Sequence, residues 1–135
     1  MPNVVVEYSA NIAADADIPG LCRTIAQTII AADLVPTAGI RVRACRYDDY
    51  VIADGKPEYA FVSLTAKLAR GRPEEDVRRC FDAVFKAVKA HLEPVDGKWV
   101  LALSMDVEAH ADRIAYKRNR IHERFGTRPF AEFAS

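Results

Sequence analysis

The chain has no apolar run that approaches the ~20 residues needed to cross a bilayer, and it does not start with a basic segment followed by an apolar one. It also has no excess of either charge, because 19 basic side chains balance 19 acidic ones. A neutral chain lacks the broad positive field that draws proteins onto nucleic acid or anionic membrane, although it can still contain one local basic pocket. We therefore expect a cytoplasmic protein with neither nucleic acid nor membrane as a partner.

Cysteine is scarce, and the three copies, Cys22, Cys45 and Cys80, are odd in number and far apart. This spacing argues against a disulfide framework and fits no zinc motif. Cys22 and Cys80 fall on apolar helix faces, where we expect small core residues. Cys45 has no histidine near it in the sequence, so it is a weak candidate for a nucleophile.

Common motifs for phosphate, dinucleotide or metal binding are missing as well. The chain contains no P-loop, no Rossmann glycine pattern and no GxSxG. An alternating acidic set at the end of the last predicted strand lacks a metal spacing such as HExxH: Asp106, Glu108, His110 and Asp112. We therefore expect no metal site at this set, and we expect His91 and His122 to be surface or structural residues.

The hydrophobic half of the 135 residues is enough for one packed domain, and its spacing predicts the elements. Apolar residues at steps of three and four predict a helix from a cap at Asp17 to about Asp33. They predict a second helix with Pro73 at its first position, which ends before Pro94. A short apolar run predicts a strand over 4–8, and alternating apolar residues predict strands over 40–47, 59–68 and 99–107. An extended piece over 50–53, followed by Asp54-Gly55, predicts a hairpin.

This element order predicts an α/β (α+β) fold built from two β-α-β units. Right-handed crossovers would join them into a four-stranded mixed sheet with both helices on one face. The other face would be exposed although it carries residues such as Cys45, Phe61 and Val100. A face of that kind usually mediates association, so we expect a homo-oligomer.

The last part of the chain, residues 110–135, has a different composition. It alternates basic and large apolar residues: Arg113, Lys117, Arg118, Arg120, Arg124 and Arg128, with Ile114, Ile121, Phe125, Phe130 and Phe133. We expect a C-terminal arm that packs on a neighbouring subunit, or a solvated helix, ahead of an arm that binds nucleic acid.

Pro2 precedes the first predicted strand, and it has two interpretations. A Met-Pro start is permissible in any protein and needs no functional reason. If Met1 is removed, however, the ring nitrogen of Pro2 becomes a free secondary amine at the end of an anchored strand. Burial and nearby cations would lower the pKa of that amine. A base poised near neutral pH is suited to abstracting a proton next to a carbonyl group.

Three arginines are candidates for binding an anion. Arg41 and Arg43 lie two residues apart on a strand, on the face opposite the apolar one, and Arg72 is expected to cap the second helix. A guanidinium binds a carboxylate with two parallel hydrogen bonds, and a helix start attracts anions. The context favours anion binding for Arg41 and Arg72, whereas Arg43 fits solubility equally well.

These residues lie in stretches that resemble a known family along nearly the whole chain. The stretches are MPNVVVEYSANI, IPGL, PTAGIRVRA, IADGKPEYAFVSLTAKLARGR, WVLALSMDVEA and YKRNRIH, in the same order. The chain resembles the 5-carboxymethyl-2-hydroxymuconate isomerase family of the tautomerase superfamily. The resemblance implies a tautomerase-like fold assembled as a homotrimer, with the sheets facing inward.

The resemblance also implies a reaction. A dienol that carries carboxylates, 5-carboxymethyl-2-hydroxymuconate, would become its conjugated 2-oxo-3-ene isomer during the breakdown of homoprotocatechuate. Pro2 would be the general base. Arg41 and Arg72 would bind carboxylates and polarise the 2-oxo group, and no cofactor or metal would be used. Beside these two family positions, we also expect Arg43 to bind substrate.

Three positions depart from the family pattern: Asn3, Val35 and Arg70. Asn3 and Arg70 lie beside the inferred site, so they bear on the choice of substrate more than on the type of reaction. Two alternatives stay open at this point. One is another tautomerase-superfamily reaction at the same proline, such as hydration, dehalogenation or decarboxylation. The other is an oligomeric binding protein without catalytic activity.

Overall fold

The computed structural model describes residues 2–109 and 114–125. Its centre is a four-stranded sheet in the order β2-β1-β3-β4. The strands are β1 (Asn3–Ser9), β2 (Arg41–Tyr47), β3 (Tyr59–Lys67) and β4 (Val100–Glu108). β1 pairs in parallel with β2 and β3 pairs in parallel with β4, while β1 and β3 are antiparallel. This confirms the predicted pair of β-α-β units and the mixed sheet.

Two long helices connect the strands: α1 (Ile18–Ala32) and α2 (Glu74–His91), the latter followed by a single turn, α3 (Glu93–Asp96). α1 begins where the sequence predicts, because the Asp17 carboxylate accepts a hydrogen bond from the Gly20 N–H at 3.2 Å. α2 begins one residue later than predicted. Pro73 has an extended ψ of 133° and is itself the cap, so Arg72 lies just outside the helix.

The core forms between the two helices and one face of the sheet. Alternate residues of β1 and β3 are buried there, as the alternation over 59–68 predicts for β3: Val4, Val6 and Tyr8, with Ala60, Val62, Leu64 and Ala66. The helices contribute the residues of their predicted apolar stripes, including Leu21, Ile25, Ile29, Val84 and Val88. Cys80 is fully enclosed and Cys22 partly so, which agrees with their prediction as core residues.

The predicted hairpin is wrong. The Gly55 N–H does donate to the Ile52 carbonyl at 2.8 Å, so a turn forms at Asp54-Gly55. The piece before it is not a strand, and Val51 is 83% exposed. Residues 50–53 are apolar without alternation, so no single face of them can be buried. β3 pairs with β1 instead, which places its alternating apolar face under the helices.

The opposite face of the sheet, here called the open face, carries none of the helices in the described part of the chain. It includes Cys45, Phe61 and Val100, and Val100 is 58% exposed. Among the residues that the structure describes, none of the helices is long and apolar enough to cross a membrane.

Candidate functional site

One end of the sheet collects the candidate residues. β1 and β2 begin there and β3 and β4 end there, since Asn3 is opposite both Arg41 and Lys67, and Lys67 is opposite Glu108. Pro2, the first residue of β2 and the loop that follows β3 therefore meet at this end. The sheet topology thus brings together Pro2, Arg41 and Arg72, which are 31 to 70 residues apart in the chain.

Pro2 is buried, and its carbonyl accepts a hydrogen bond from the Arg41 N–H at 3.0 Å. This bond extends the ladder between β1 and β2 by one residue beyond the strand. The proline is consequently fixed by the sheet instead of fraying as chain ends usually do. Met1, whose presence or removal decides the chemistry of the ring nitrogen, lies outside the described residues.

The Arg41 side chain is half-buried and rests on backbone carbonyls. Its Nη1 donates to the Gly39 oxygen at 3.0 Å and lies 3.4 Å from the Ala38 oxygen. Within residues 2–109 and 114–125 it forms no ion pair with a carboxylate. Carbonyl partners orient the guanidinium without cancelling its charge, so it remains available to an anion.

Arg72 is held in the same way by two carbonyls from different parts of the chain. Its Nε donates to Leu34 at 3.2 Å and its Nη1 to Ala69 at 3.3 Å. Burial lowers the pKa of Arg72 below the ordinary value of a guanidinium. Gly71 before it has a φ of 110°, which only glycine adopts without strain, and this turn redirects the chain between β3 and α2.

Both guanidiniums therefore rest on a single loop, residues 33–39, which joins α1 to β2. Leu34 holds Arg72 at one end of this loop, and Ala38 and Gly39 hold Arg41 at the other. The positions of the two cations relative to each other thus depend on the conformation of these few residues. The sequence motifs predicted the arginines but not the loop that holds them.

Arg43 lies on the open face, two residues along β2 from Arg41, and is exposed. Its Nη1 donates to the Asn3 Oδ1 at 3.3 Å. This contact links a predicted binding residue with a position that departs from the family pattern. Asn3 is therefore placed to influence which group Arg43 can contact.

A second structure at this end lies within the predicted arm, but its contact with the 33–39 loop was not predicted. Asn119 Nδ2 donates to the Ala38 carbonyl at 2.9 Å, and His122 in the short 3₁₀ helix Arg120–Phe125 is only 6% exposed. A pocket of about 170 Å³ lies between this helix and the loop over residues 33–38 and is lined by residues of both. His122 is thus a buried structural residue, and the available signal was the stretch YKRNRIH itself.

The remaining candidates lie elsewhere. Cys45 is exposed on the open face, four residues beyond Arg41. His91 Nε2 lies 2.8 Å from the Ala16 carbonyl, which is a structural contact next to the start of α1. In the described part of the chain no three metal-binding side chains cluster, and His110 and Asp112 of the acidic set fall outside that part.

Only part of the predicted C-terminal arm, residues 110–135, belongs to the described chain. Residues 114–118 are exposed, with Ile114 at 87% and Tyr116 at 93%, and they lead into the helix that packs on the 33–39 loop. Packing on a neighbouring subunit stays a prediction for this arm. Residues 110–113 and 126–135 lie outside the described residues.

Comparison with known proteins places this geometry in context. A family model described as 5-carboxymethyl-2-hydroxymuconate isomerase matches residues 2–125. A 5-carboxymethyl-2-hydroxymuconate Delta-isomerase of Escherichia coli is 35% identical over 125 residues, which cover 93% of this chain and 99% of that protein. The crystal structure of a 5-carboxymethyl-2-hydroxymuconate isomerase from Deinococcus radiodurans R1 superposes with a TM-score of 0.85 and 32% identity, covering 92% and 93% of the two chains.

A more distant likeness concerns the fold alone. A fused 4-OT solved as an asymmetric trimer matches with a TM-score of 0.64 at 12% identity, over 92% of this chain and 98% of that one. The tautomerase-like fold implied by the sequence is therefore confirmed.

Proposed function

Because the chain belongs to the 5-carboxymethyl-2-hydroxymuconate isomerase family and is an isomerase, we propose that it converts 5-carboxymethyl-2-hydroxymuconate into the 2-oxo-3-ene isomer. The observation that carries this proposal is the pair of guanidiniums, Arg41 and Arg72, held by carbonyls at the end of the sheet where Pro2 is buried. The substrate has three carboxylates, which such cations would bind. The reaction would serve the breakdown of homoprotocatechuate.

Pro2 is the base in this proposal, once Met1 has been removed. A secondary amine in a ring has almost no conformational freedom, and the bond from Arg41 to the Pro2 carbonyl fixes its position. Burial and the guanidiniums at this end of the sheet would disfavour the protonated amine and so lower its pKa. The neutral nitrogen takes the proton of the 2-hydroxyl group, and the resulting ammonium returns a proton to the carbon at position five.

Arg41 and Arg72 hold carboxylates in this proposal and stabilise the negative charge that develops on the 2-oxygen. Electrostatic groups that are already oriented before the reaction contribute most to this kind of catalysis. The carbonyls of Leu34, Ala38 and Gly39 supply that orientation. Arg43, held by Asn3, is the third cation and would contact a further carboxylate. No step of this mechanism requires a cofactor.

The open face suggests how the subunits assemble. It exposes Val100 and Tyr47 in a single subunit, and the fused 4-OT that shares the fold is a trimer. We propose a homotrimer whose open faces point inward. Sedimentation equilibrium or light scattering would measure three times the chain mass, and a monomer at micromolar concentration would contradict this part of the proposal.

The test of the reaction begins with a mass spectrum that verifies a free Pro2. That protein is incubated with 5-carboxymethyl-2-hydroxymuconate, and the ultraviolet spectrum reports formation of the conjugated ketone. We expect a rate far above buffer, and a loss of that rate when one residue is added before Pro2, because the amine then becomes an amide. Pro2→Ala should also lose most of the activity. An absence of acceleration by the verified protein would exclude the proposed reaction.

The arginine roles have their own test. Arg41→Ala and Arg72→Ala should each reduce kcat/KM by about 10- to 100-fold, since a hydrogen bond to a charged group contributes about 1.5–3 kcal/mol. Arg46→Ala is the matched control, because Arg46 lies on the same strand and pairs with Asp48 at 3.0 Å on the surface. The carboxylate assignment is wrong if all three variants retain wild-type kinetics.

A further inference from the structure

Asn119 shares a backbone carbonyl with the guanidinium of Arg41. The amide Nδ2 of Asn119 donates to the Ala38 oxygen at 2.9 Å, and Arg41 Nη1 lies 3.4 Å from the same oxygen. The two side chains are 78 residues apart in the chain and meet at one atom. Asn119 therefore contacts the carbonyl that supports a proposed binding residue.

Asn119 is itself held in place by its own helix. Its Oδ1 accepts a hydrogen bond from the Ile121 N–H at 2.9 Å, so one amide both starts the 3₁₀ helix and reaches the loop. His122 in that helix is buried, and it lines the small pocket with Val35 and Ala38. The side chain of Asn119 is consequently anchored on one side and donates to the loop on the other.

The geometry at the Ala38 oxygen indicates which of its two contacts, with Asn119 or with Arg41, fixes the direction of the carbonyl. A carbonyl oxygen has two lone pairs, and hydrogen bonds weaken as the distance between donor and acceptor grows. The Asn119 bond at 2.9 Å is the closer one, and it fixes the direction of the Ala38 carbonyl. The two oxygens on which Arg41 rests belong to consecutive peptide groups, so the direction of the Ala38 carbonyl affects one of them directly. Without the Asn119 amide, the Ala38 carbonyl loses the closer of its two side-chain donors, while the Gly39 N–H still donates to the Pro36 carbonyl at 3.0 Å, and we expect the direction of the Ala38 carbonyl to change.

We propose that Asn119 is a positioning residue that holds the Arg41 guanidinium, through the Ala38 carbonyl, in the orientation that receives a substrate carboxylate. This inference rests on the proposed function for its effect on kinetics. Since it acts on ground-state orientation of a binding group, its removal raises KM more than it lowers kcat. It also predicts that Asn119 has no effect once Arg41 is gone.

The experiment uses the full chain with a verified free Pro2 and two substitutions. Asn119→Ala removes both bonds, whereas Asn119→Asp keeps the oxygen that caps Ile121 but cannot donate to Ala38. Both should raise KM by about two- to tenfold, the range expected for one neutral hydrogen bond, with a smaller change in kcat. In an Arg41→Ala background, Asn119→Ala should leave KM unchanged.

Asn11 provides a matched control at the far end of the sheet. Its Nδ2 donates to the Tyr59 carbonyl at 2.7 Å, which is the same type of bond, but Tyr59 is the first residue of β3. Asn11→Ala should lower stability and leave KM unchanged. An equal rise in KM for Asn11→Ala and Asn119→Ala would mean that general destabilisation explains both, and the proposal would be overturned.

Two results separate this inference from the proposed function. An unchanged KM in Asn119→Ala, or the same KM rise with and without Arg41, overturns the positioning role while the isomerase activity stands. A crystal structure of Asn119→Ala needs no turnover and tests the role even if the wild-type protein proves inactive on this substrate. We expect Arg41 to have left the Ala38 and Gly39 carbonyls there, and an unmoved guanidinium overturns the inference.

Discussion

Asp17 at the start of α1 occupies the space that a side chain at Gly20 would need. We therefore predict that Gly20→Ala does not stabilise the helix, unlike most replacements of glycine by alanine in helices. Asp17 has a φ of 45°, and its carboxylate accepts from the Gly20 N–H at 3.2 Å. A methyl group on Gly20 would lie 2.1 Å from Asp17 Oδ2 and 2.7 Å from its Cγ. Those distances are far below van der Waals contact, so an alanine at position 20 must displace the capping carboxylate.

The two effects of Gly20→Ala are opposite in sign and similar in size. Alanine in place of glycine stabilises a helix by about 1 kcal/mol, and losing a cap costs about 1 kcal/mol. The net change in the wild-type protein should be near zero or destabilising. With Asp17→Gly, which keeps the positive φ and has no side chain to displace, Gly20→Ala should stabilise by about 1 kcal/mol. The two positions are therefore coupled by about 1 kcal/mol.

Urea unfolding of the wild type, the two single variants and the double variant measures this coupling. All four are compared at one protein concentration, because assembly of subunits adds to the apparent stability. Slopes of the free energy against urea should agree among the four proteins. The reasoning is refuted if Gly20→Ala stabilises both backgrounds equally, since the methyl group and the carboxylate would then coexist.

Three further predictions concern the core and two surface groups. Ile29→Ala should lower the free energy of unfolding by about 2–5 kcal/mol, because Ile29 is fully enclosed. Ile30→Ala on the same helix should lower it much less, because Ile30 is 44% exposed. Chemical denaturation compares the two variants, and equal losses of stability would contradict the assignment of Ile29 to the buried face. The Tyr47 hydroxyl donates to the Glu7 carboxylate, which raises the pKa of Tyr47 to about 12. The stability that this hydrogen bond contributes is complete below pH 10 and disappears as the pH rises through 12. Tyr47→Phe should therefore flatten the dependence of stability on pH in the alkaline range. An unchanged slope of stability against pH would exclude the Tyr47–Glu7 pair as its cause. Hydrogen bonds from two neighbouring side chains lower the pKa of Asp15 below its usual value, so its contribution to stability is present above about pH 4 and is lost on acidification. Asp15→Asn should therefore make thermal unfolding less sensitive to acid. A variant as acid-sensitive as the wild type would contradict this.

Much of the fold could be predicted because its signals are local. The alternation over β3 fixes which side chains face the helices, and a shift of one residue would expose all of them. The hairpin failed because Asp54-Gly55 specifies a turn and says nothing about pairing: the partner of β3 is β1, about 60 residues away. The start of α2 was misplaced by one residue because proline is compatible with both the cap and the first helical position.

The site was predictable only as a set of residue types. Alternation places Arg41 and Arg43 on one face of β2, as the register confirms. The partners of the guanidiniums have no local signature, because Leu34 lies 38 residues from Arg72 and Asn119 lies 81 from Ala38. Hydrogen bonds to backbone carbonyls can be formed with any residue type, so the sequence of the 33–39 loop does not reveal its role.

Arg72 is held by backbone carbonyls and not by carboxylates, which has a consequence for how the candidate site would bind an anion. A carboxylate beside Arg72 would orient the guanidinium and cancel its charge, and a substrate would then have to displace it. Carbonyl dipoles at Leu34 and Ala69 satisfy the N–H groups and leave the net charge in place. Burial already disfavours this cation, as its lowered pKa indicates, so an arriving anion relieves an existing electrostatic cost. A dicarboxylate bound at this end should therefore raise the melting temperature of the wild type more than that of Arg72→Ala.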